Sequence, residues 1–211
     1  MRPATRFVFR GKTVEIGGFP PHQTLLDWLR LEARATGTKE GCAEGDCGAC
    51  TVVLARARNG EIEHRAVNSC ILLLGQADGA EVLTIEDLSS GGELHPVQEA
   101  MVRHHGSQCG FCTPGIVMSL FAGYQHGQLT DRSAVADILA GNLCRCTGYR
   151  PIVDAALDAG AGARVDAFAA RQDQRLAALA ALATDDDLFV GTQDSFFAAP
   201  ASEDAFARLY A

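Results

Sequence analysis

The apolar positions change rhythm along this chain. In "RFVFRGKTVEI", residues 6–16, Phe7 and Phe9 fall on one side of an alternating run, and Val14 and Ile16 resume it after an Arg-Gly-Lys turn. That is the pattern of a β-hairpin. The alternation gives way at Thr24: Asp27 stands three positions on, an Asp form of the capping box, and Leu25, Trp28 and Leu29 mark one face of a helix expected to run to about Ala35. A second alternating stretch, "TVVLARARNGEIEHRAV", predicts a hairpin about Asn59-Gly60, and "AEVLTI" predicts a short strand ending near Ile85. Strands around one helix within residues 1–88 make a small α+β domain.

Beyond "SSGGELHP" the alternation stops. Pro96, Pro114 and Pro151 each stand where a helix can start, and helices are expected at about 96–105, 114–126, 132–140 and 151–159. Four short helices over residues 89–160 make a second, bundle-like domain. From Ala155 the chain is alanine-rich, which predicts a linker carrying a helix over 166–183 before the acidic "TDDD". The last stretch, "LFVGTQDSFFAAPASEDAFARLYA", has aromatics but too few residues for a core of its own, so it must pack on something else. The fold class is therefore α+β, with an extended linker and tail over 161–211.

Composition narrows the chemistry. With 47% hydrophobic and 21% charged residues in 211, the chain is of ordinary globular composition. A net charge of -8 and only two lysines, Lys12 and Lys39, argue against nucleic acid as a partner. No apolar run is long enough to span a bilayer and "MRPATRFVFRGKTVEI" has no signal core, so the expected place is the cytoplasm, away from membranes. In a reducing compartment eight cysteines point to metal binding or redox chemistry rather than disulfides.

The cysteines form two sets. Cys42, Cys47 and Cys50 are spaced C-x4-C-x2-C with a distant fourth, Cys70, which is the plant-type arrangement for a 2Fe-2S cluster. Gly41, Gly45, Gly48 and Ala49 give the loop the freedom to wrap a cluster and aim its N–H groups inward. The other set joins Cys109 and Cys112, spaced C-x2-C, to Cys144 and Cys146, spaced C-x-C, across 31 intervening residues. Zinc is the alternative at both sets, more so at the second, where the spacing alone leaves the metal open. Two redox clusters would make a wire for single electrons, which zinc cannot carry.

Four stretches, "GTKEGCAEGDCGACTV", "HPVQEAM", "GSQCGFCTPGIVMS" and "GNLCRCTGYRPI", together resemble the two-cluster iron–sulfur portion of the molybdenum hydroxylases, the xanthine dehydrogenase and aldehyde oxidase family, over about residues 5–160. The resemblance implies a β-grasp ferredoxin-like domain holding one 2Fe-2S cluster through Cys42, Cys47, Cys50 and Cys70, and a four-helix domain holding another through Cys109, Cys112, Cys144 and Cys146. It implies that Gln108 meets a molybdopterin, with Cys146 the nearest ligand to it, and that electrons pass from molybdenum through both clusters to FAD and then to NAD or another acceptor. "HHGSQCGFCTPG" and the tail look most like the small subunits of bacterial xanthine dehydrogenases, which act on purines; aldehyde, carbon monoxide and aromatic hydroxylases are alternatives. The implied partners are a molybdopterin-binding large subunit and an FAD domain or subunit, in a dimer of heteromers, with the molybdenum ligands and the catalytic glutamate on another chain. "DSFFAAPASEDAFARLYA" resembles the entry into a flavin domain, or a docking arm, and no FAD site is assigned within it. His104 and His105 follow helical residues and are expected in solvent. A free two-cluster ferredoxin and a zinc-bound interaction module are the other classes that the cysteines allow.

Overall fold

The structure, a computed structural model, describes residues 1–89 and 91–209. Strands β1 (Ala4–Phe9) and β2 (Lys12–Gly17) form the first hairpin, and β3 (Thr51–Arg58) and β4 (Glu61–Asn68) the second. Both turn through two residues of positive φ, Arg10-Gly11 and Asn59-Gly60, the geometry that matches the twist of paired strands. Strand β5 (Glu81–Leu83) lies between the hairpins, parallel to β1 with Val8 opposite Glu81 and antiparallel to β3 with Val53 opposite Leu83. The sheet order β2-β1-β5-β3-β4 is the mixed sheet of a β-grasp.

The helix expected from Thr24 to Ala35 is cut short. Thr24 caps it as predicted, accepting the Asp27 N–H at 3.1 Å and donating to the Asp27 carboxylate at 2.7 Å. After α1 (Leu25–Asp27), however, the chain widens into a π turn over Trp28–Glu32, where Ala33 donates to Trp28 and Ala35 to Leu29. The wide turn lets Trp28 and Leu29 both enter the core, with Trp28 edge-on to Phe7 and Phe9.

The second half holds the four expected helices, α2 (Pro96–Arg103), α3 (Thr113–Gln125), α4 (Arg132–Leu139) and α5 (Arg150–Ala161). Pro96, Pro114 and Pro151 all occupy the first turn, where a missing N–H costs nothing. Helix α3 is buried all round from Gly115 to Tyr124, because it lies between the sheet and the other helices. Strand β3 shows why: Val52 and Leu54 face the core of the first unit, while Val53 and Ala55 face a second core shared with Ile116, Leu120 and Phe121 of α3. Leu88, a few residues after β5, is itself buried in that shared core.

Residues 161–209, expected as an extended linker and tail, are wound back over the molecule instead. Phe168 joins the shared core, and Leu179 of α6 (Gln172–Ala180) packs with Leu182 on Val8. The hairpin of β6 (Leu188–Gly191) and β7 (Phe196–Ala199) sends Leu188 and Val190 into the core of the first unit, and α7 (Glu203–Leu209) follows. The tail thus packs on its own chain; its last two positions lie outside the described residues.

Two buried ionic contacts fasten this strap. Asp166 accepts from His95 at 2.9 Å, from Gln125, and from the Phe168 and Ala169 N–H groups. Burial alone would raise its pKa, but these donors hold it down to about 2. Arg175 donates to Glu81 at 2.8 Å through two nitrogens and to His64 Nε2 at 3.0 Å, so that ring nitrogen is an acceptor and the imidazole is neutral. Burial first, and then the Arg175 charge, push the His64 pKa from 6.5 to about 3.

Because unfolding lets His64 take up a proton that the folded state refuses, stability is full above 6.5 and falls as pH drops from 6.5 toward 3. The thermal midpoint measured from about pH 8 to about pH 5 is expected to fall with a slope approaching one proton, and His64→Gln is expected to flatten it.

Candidate metal centres

The first three cysteines sit on a loop between the π turn and β3. Backbone N–H groups of Asp46 and Cys47 point at Cys42 Sγ, each at 3.4 Å, and those of Glu44, Cys47 and Asp46 lower the Cys42 pKa to about 7. Cys42 lies beside Cys47, and Cys50 Sγ is 3.3 Å from Cys70 Sγ, which follows β4. Cys50 and Cys70 are buried, and burial pushes the Cys70 thiol up to about 11. A β-carbon on Gly41 would stand 2.7 Å from Cys47 Sγ, so only glycine leaves room for the thiol.

The second set converges from two helix starts. Cys109 and Cys112 precede α3, Cys144 and Cys146 precede α5, and the thiols meet in two pairs, Cys109 with Cys146 and Cys112 with Cys144. The Phe111 N–H lowers the Cys109 pKa, while burial pushes Cys112 up to about 12. Burial also works to raise Cys144, but hydrogen bonds from Thr147, including its hydroxyl at 3.2 Å, and from Cys146 and Cys112 leave it lowered. Cys109 and Cys146 are exposed, as is Gln108 beside them.

Each set therefore offers four thiol sulfurs in two close pairs, with N–H groups aimed at one sulfur and a glycine cradle in the first. This donor set fits a 2Fe-2S cluster, whose two irons each take two thiolates. Burial raises the Cys70 and Cys112 thiols, and bound metal would keep them deprotonated.

The two sets touch through the backbone. The Leu143 N–H donates to the Cys47 carbonyl at 2.9 Å, so a single hydrogen bond links a residue of the first set to the neighbour of Cys144. Three segments pack at this point with only the Asn142 side chain between them. Gly48 has a φ of +69°, and a β-carbon there would run into the Gly141 carbonyl; one on Gly115 would run into the carbonyl of Gly48.

The chain matches two families in succession. The 2Fe-2S iron–sulfur cluster binding domain covers residues 8–74, and the [2Fe-2S] binding domain covers residues 84–157. Among solved structures, quinoline 2-oxidoreductase from Pseudomonas putida 86 is 36% identical, with a TM-score of 0.66 over 76% of this chain and 94% of that one. This chain belongs to the iron–sulfur proteins of the xanthine dehydrogenase and aldehyde oxidase family of molybdenum hydroxylases. The xanthine dehydrogenase of Blastobotrys adeninivorans is 50% identical over 71% of this chain, and aldehyde oxidase 1 of Oryctolagus cuniculus is 46% identical over 74%. The chain spans only 11% and 12% of those two proteins. It corresponds to their iron–sulfur electron-transfer region, and both matched families bind 2Fe-2S, which favours iron over zinc at the two sets.

Of the remaining expectations, His104 is not a purely solvated residue. Its Nε2 lies 2.8 Å from the Asp158 carboxylate, which Arg103 also holds at 2.7 Å, so it ties α2 to α5 while His105 stays exposed. No helix among the described residues is long and apolar enough to cross a membrane. Sequence reasoning passed over Asn142 and Tyr149, which stand in "GNLCRCTGYRPI" but whose partners lie elsewhere; Asn142 bonds Gly48, 94 positions away.

Gly115→Ala is expected to cost about 2 kcal/mol of stability, as overpacking against a backbone carbonyl does. Gly141→Ala, which meets nothing within 4 Å, is the control expected to leave the denaturation midpoint unchanged.

Proposed function

We propose that this chain is the electron-transfer subunit of a xanthine-oxidising molybdenum hydroxylase, with Cys42, Cys47, Cys50 and Cys70 holding one 2Fe-2S cluster and Cys109, Cys112, Cys144 and Cys146 holding the other. Each cluster supplies uptake and release of one electron. The observation that carries this reading is the meeting of two four-thiol sets across the Cys47 carbonyl and the Leu143 N–H.

The chain's own residues set the direction. Cys109, Cys146 and Gln108 are exposed on one face of the helical unit, with Phe111 and Leu143 also partly in solvent, so this side is suited to receive electrons from a partner. Gln108 is placed to hydrogen-bond a molybdopterin on a large subunit, with Cys146 the nearest ligand. The buried pair Cys50 and Cys70 keeps water from the first site, and the half-buried edge of that site at Cys42 leads toward an FAD domain or subunit. Residues 1–88 and 89–160 are the two cluster-holding units, and residues 161–211 the segment that docks or leads to the flavin. Purine oxidation is supported by the likeness to a xanthine dehydrogenase, and cytoplasmic location and assembly as a dimer of heteromers complete the proposal.

Low-temperature EPR of the dithionite-reduced protein is expected to give two distinct signals, with about four irons per chain. One signal with stoichiometric zinc would overturn the two-cluster reading. Cys146→Ala is expected to abolish one signal and spare the other, and Cys70→Ala to do the reverse, unless loss of its metal unfolds the first unit.

A further inference from the structure

We propose that Asn142 is the positioning residue that fixes the electronic contact between the two cysteine sets. The inference rests on the reading that both sets carry clusters. Asn142 is 4% exposed, and every polar atom it has is engaged. Its Oδ1 accepts from the Ser119 hydroxyl at 2.6 Å; its Nδ2 donates to the Gly48 carbonyl at 3.0 Å and to Thr51 Oγ1 at 3.2 Å. Its main-chain N–H donates to Leu139, and its carbonyl accepts from the Tyr149 hydroxyl at 3.3 Å.

The amide orientation is fixed by chemistry. The Gly48 carbonyl can only accept, so the nitrogen must face it, and the Ser119 hydroxyl then donates to the oxygen. Thr51 Oγ1 donates to the same Gly48 carbonyl at 2.7 Å, which leaves its lone pairs for Asn142.

The consequence lies in the neighbours. Asn142 holds Gly48 and the next residue, Leu143, holds Cys47, so two consecutive residues clamp two consecutive residues of the other loop. With both bonds made, the Cys47 carbonyl cannot swing away from the Leu143 N–H. Tyr149 closes the arrangement from the far side: at a left-handed φ of 65°, its hydroxyl accepts the Cys144 N–H at 2.8 Å while donating to the Asn142 carbonyl. Cys144 is thereby tied back to Asn142, and the path from Cys47 Sγ to Cys144 Sγ runs through covalent bonds and one hydrogen bond. A side chain chosen only for packing would not need three polar partners on three segments, α3, the first cysteine loop and β3.

The test uses the full chain carrying its iron. Asn142→Asp keeps the shape and the oxygen facing Ser119 but turns a second oxygen toward the Gly48 carbonyl. Expected are unchanged iron content and unchanged g values for each signal, a weaker mutual splitting when both sites are reduced, and a roughly tenfold slower redistribution of an electron after flash reduction by a deazaflavin, as loss of an outer-shell partner produces. Ser119→Ala frees Oδ1 without altering Asn142 and is expected to slow the redistribution by less; it carries the test if the Asp variant does not fold. A lower thermal midpoint with splitting and rate unchanged in the folded variants would mark Asn142 as merely structural and overturn its proposed role. Absence of two iron signals in the unaltered protein would overturn the reading of the cysteine sets, and this inference with it.

Discussion

Two cysteine sets carried on separate segments can meet through their backbones only where β-carbons do not hold those backbones apart, and here that constraint is met where Gly48 adjoins Gly115 and the Gly141 carbonyl. The Gly48 carbonyl sits in the space that a β-carbon on Gly115 would need, and Gly141 occupies the space that one on Gly48 would need. With the β-carbons gone, the start of α3 and the loop before α5 both reach the first cysteine loop, and Leu143 comes within hydrogen-bonding distance of Cys47. Each of the two thiol sets is assembled from its own segments, but their mutual distance is a property of this contact.

A contact made of backbone and one amide side chain contributes little apolar burial, so it is also held from outside. Strand β3 does this by serving two cores, with Val52 and Leu54 on one face and Val53 and Ala55 on the other. The strap of residues 161–209 adds a second clamp: Asp166 is bound by His95 and Gln125 of the helical unit, and Arg175 by Glu81 and His64 of the sheet. Buried charges of this kind are costly unless fully partnered, and both are. Their value is in fixing where the strap lies more than in net stability.

The two sites differ in how they meet solvent. Cys50 and Cys70 are buried beneath the first loop, whereas Cys109 and Cys146 remain at the surface together with Phe111 and Leu143. Burial raises the pKa of Cys70 and Cys112, and inward N–H groups lower that of Cys42 and Cys109.

Local rules were enough for most of the elements. Alternating residues and turns such as Asn59-Gly60 defined the hairpins, prolines marked three of the four helix starts, and the spacing of the first cysteine set pointed to its chemistry, because each of these is a preference of residues close together in the chain. The spacing of the second set left its metal open; family resemblance, and then the matched domains, supplied what spacing could not. The π turn at Trp28 was not legible, since it follows from fitting two large side chains into one core, nor was the return of residues 161–209, whose alanines disguise buried positions such as Phe168, Leu179, Leu182, Leu188 and Val190. Asn142 and Tyr149 were visible as letters in a cysteine motif but not as a clamp. What the sequence alone determined is most of the local conformations and the chemistry of the first thiol set; what only the tertiary structure decided is the contact between the sets, because a hydrogen bond between residues 47 and 143 depends on the packing of everything between them.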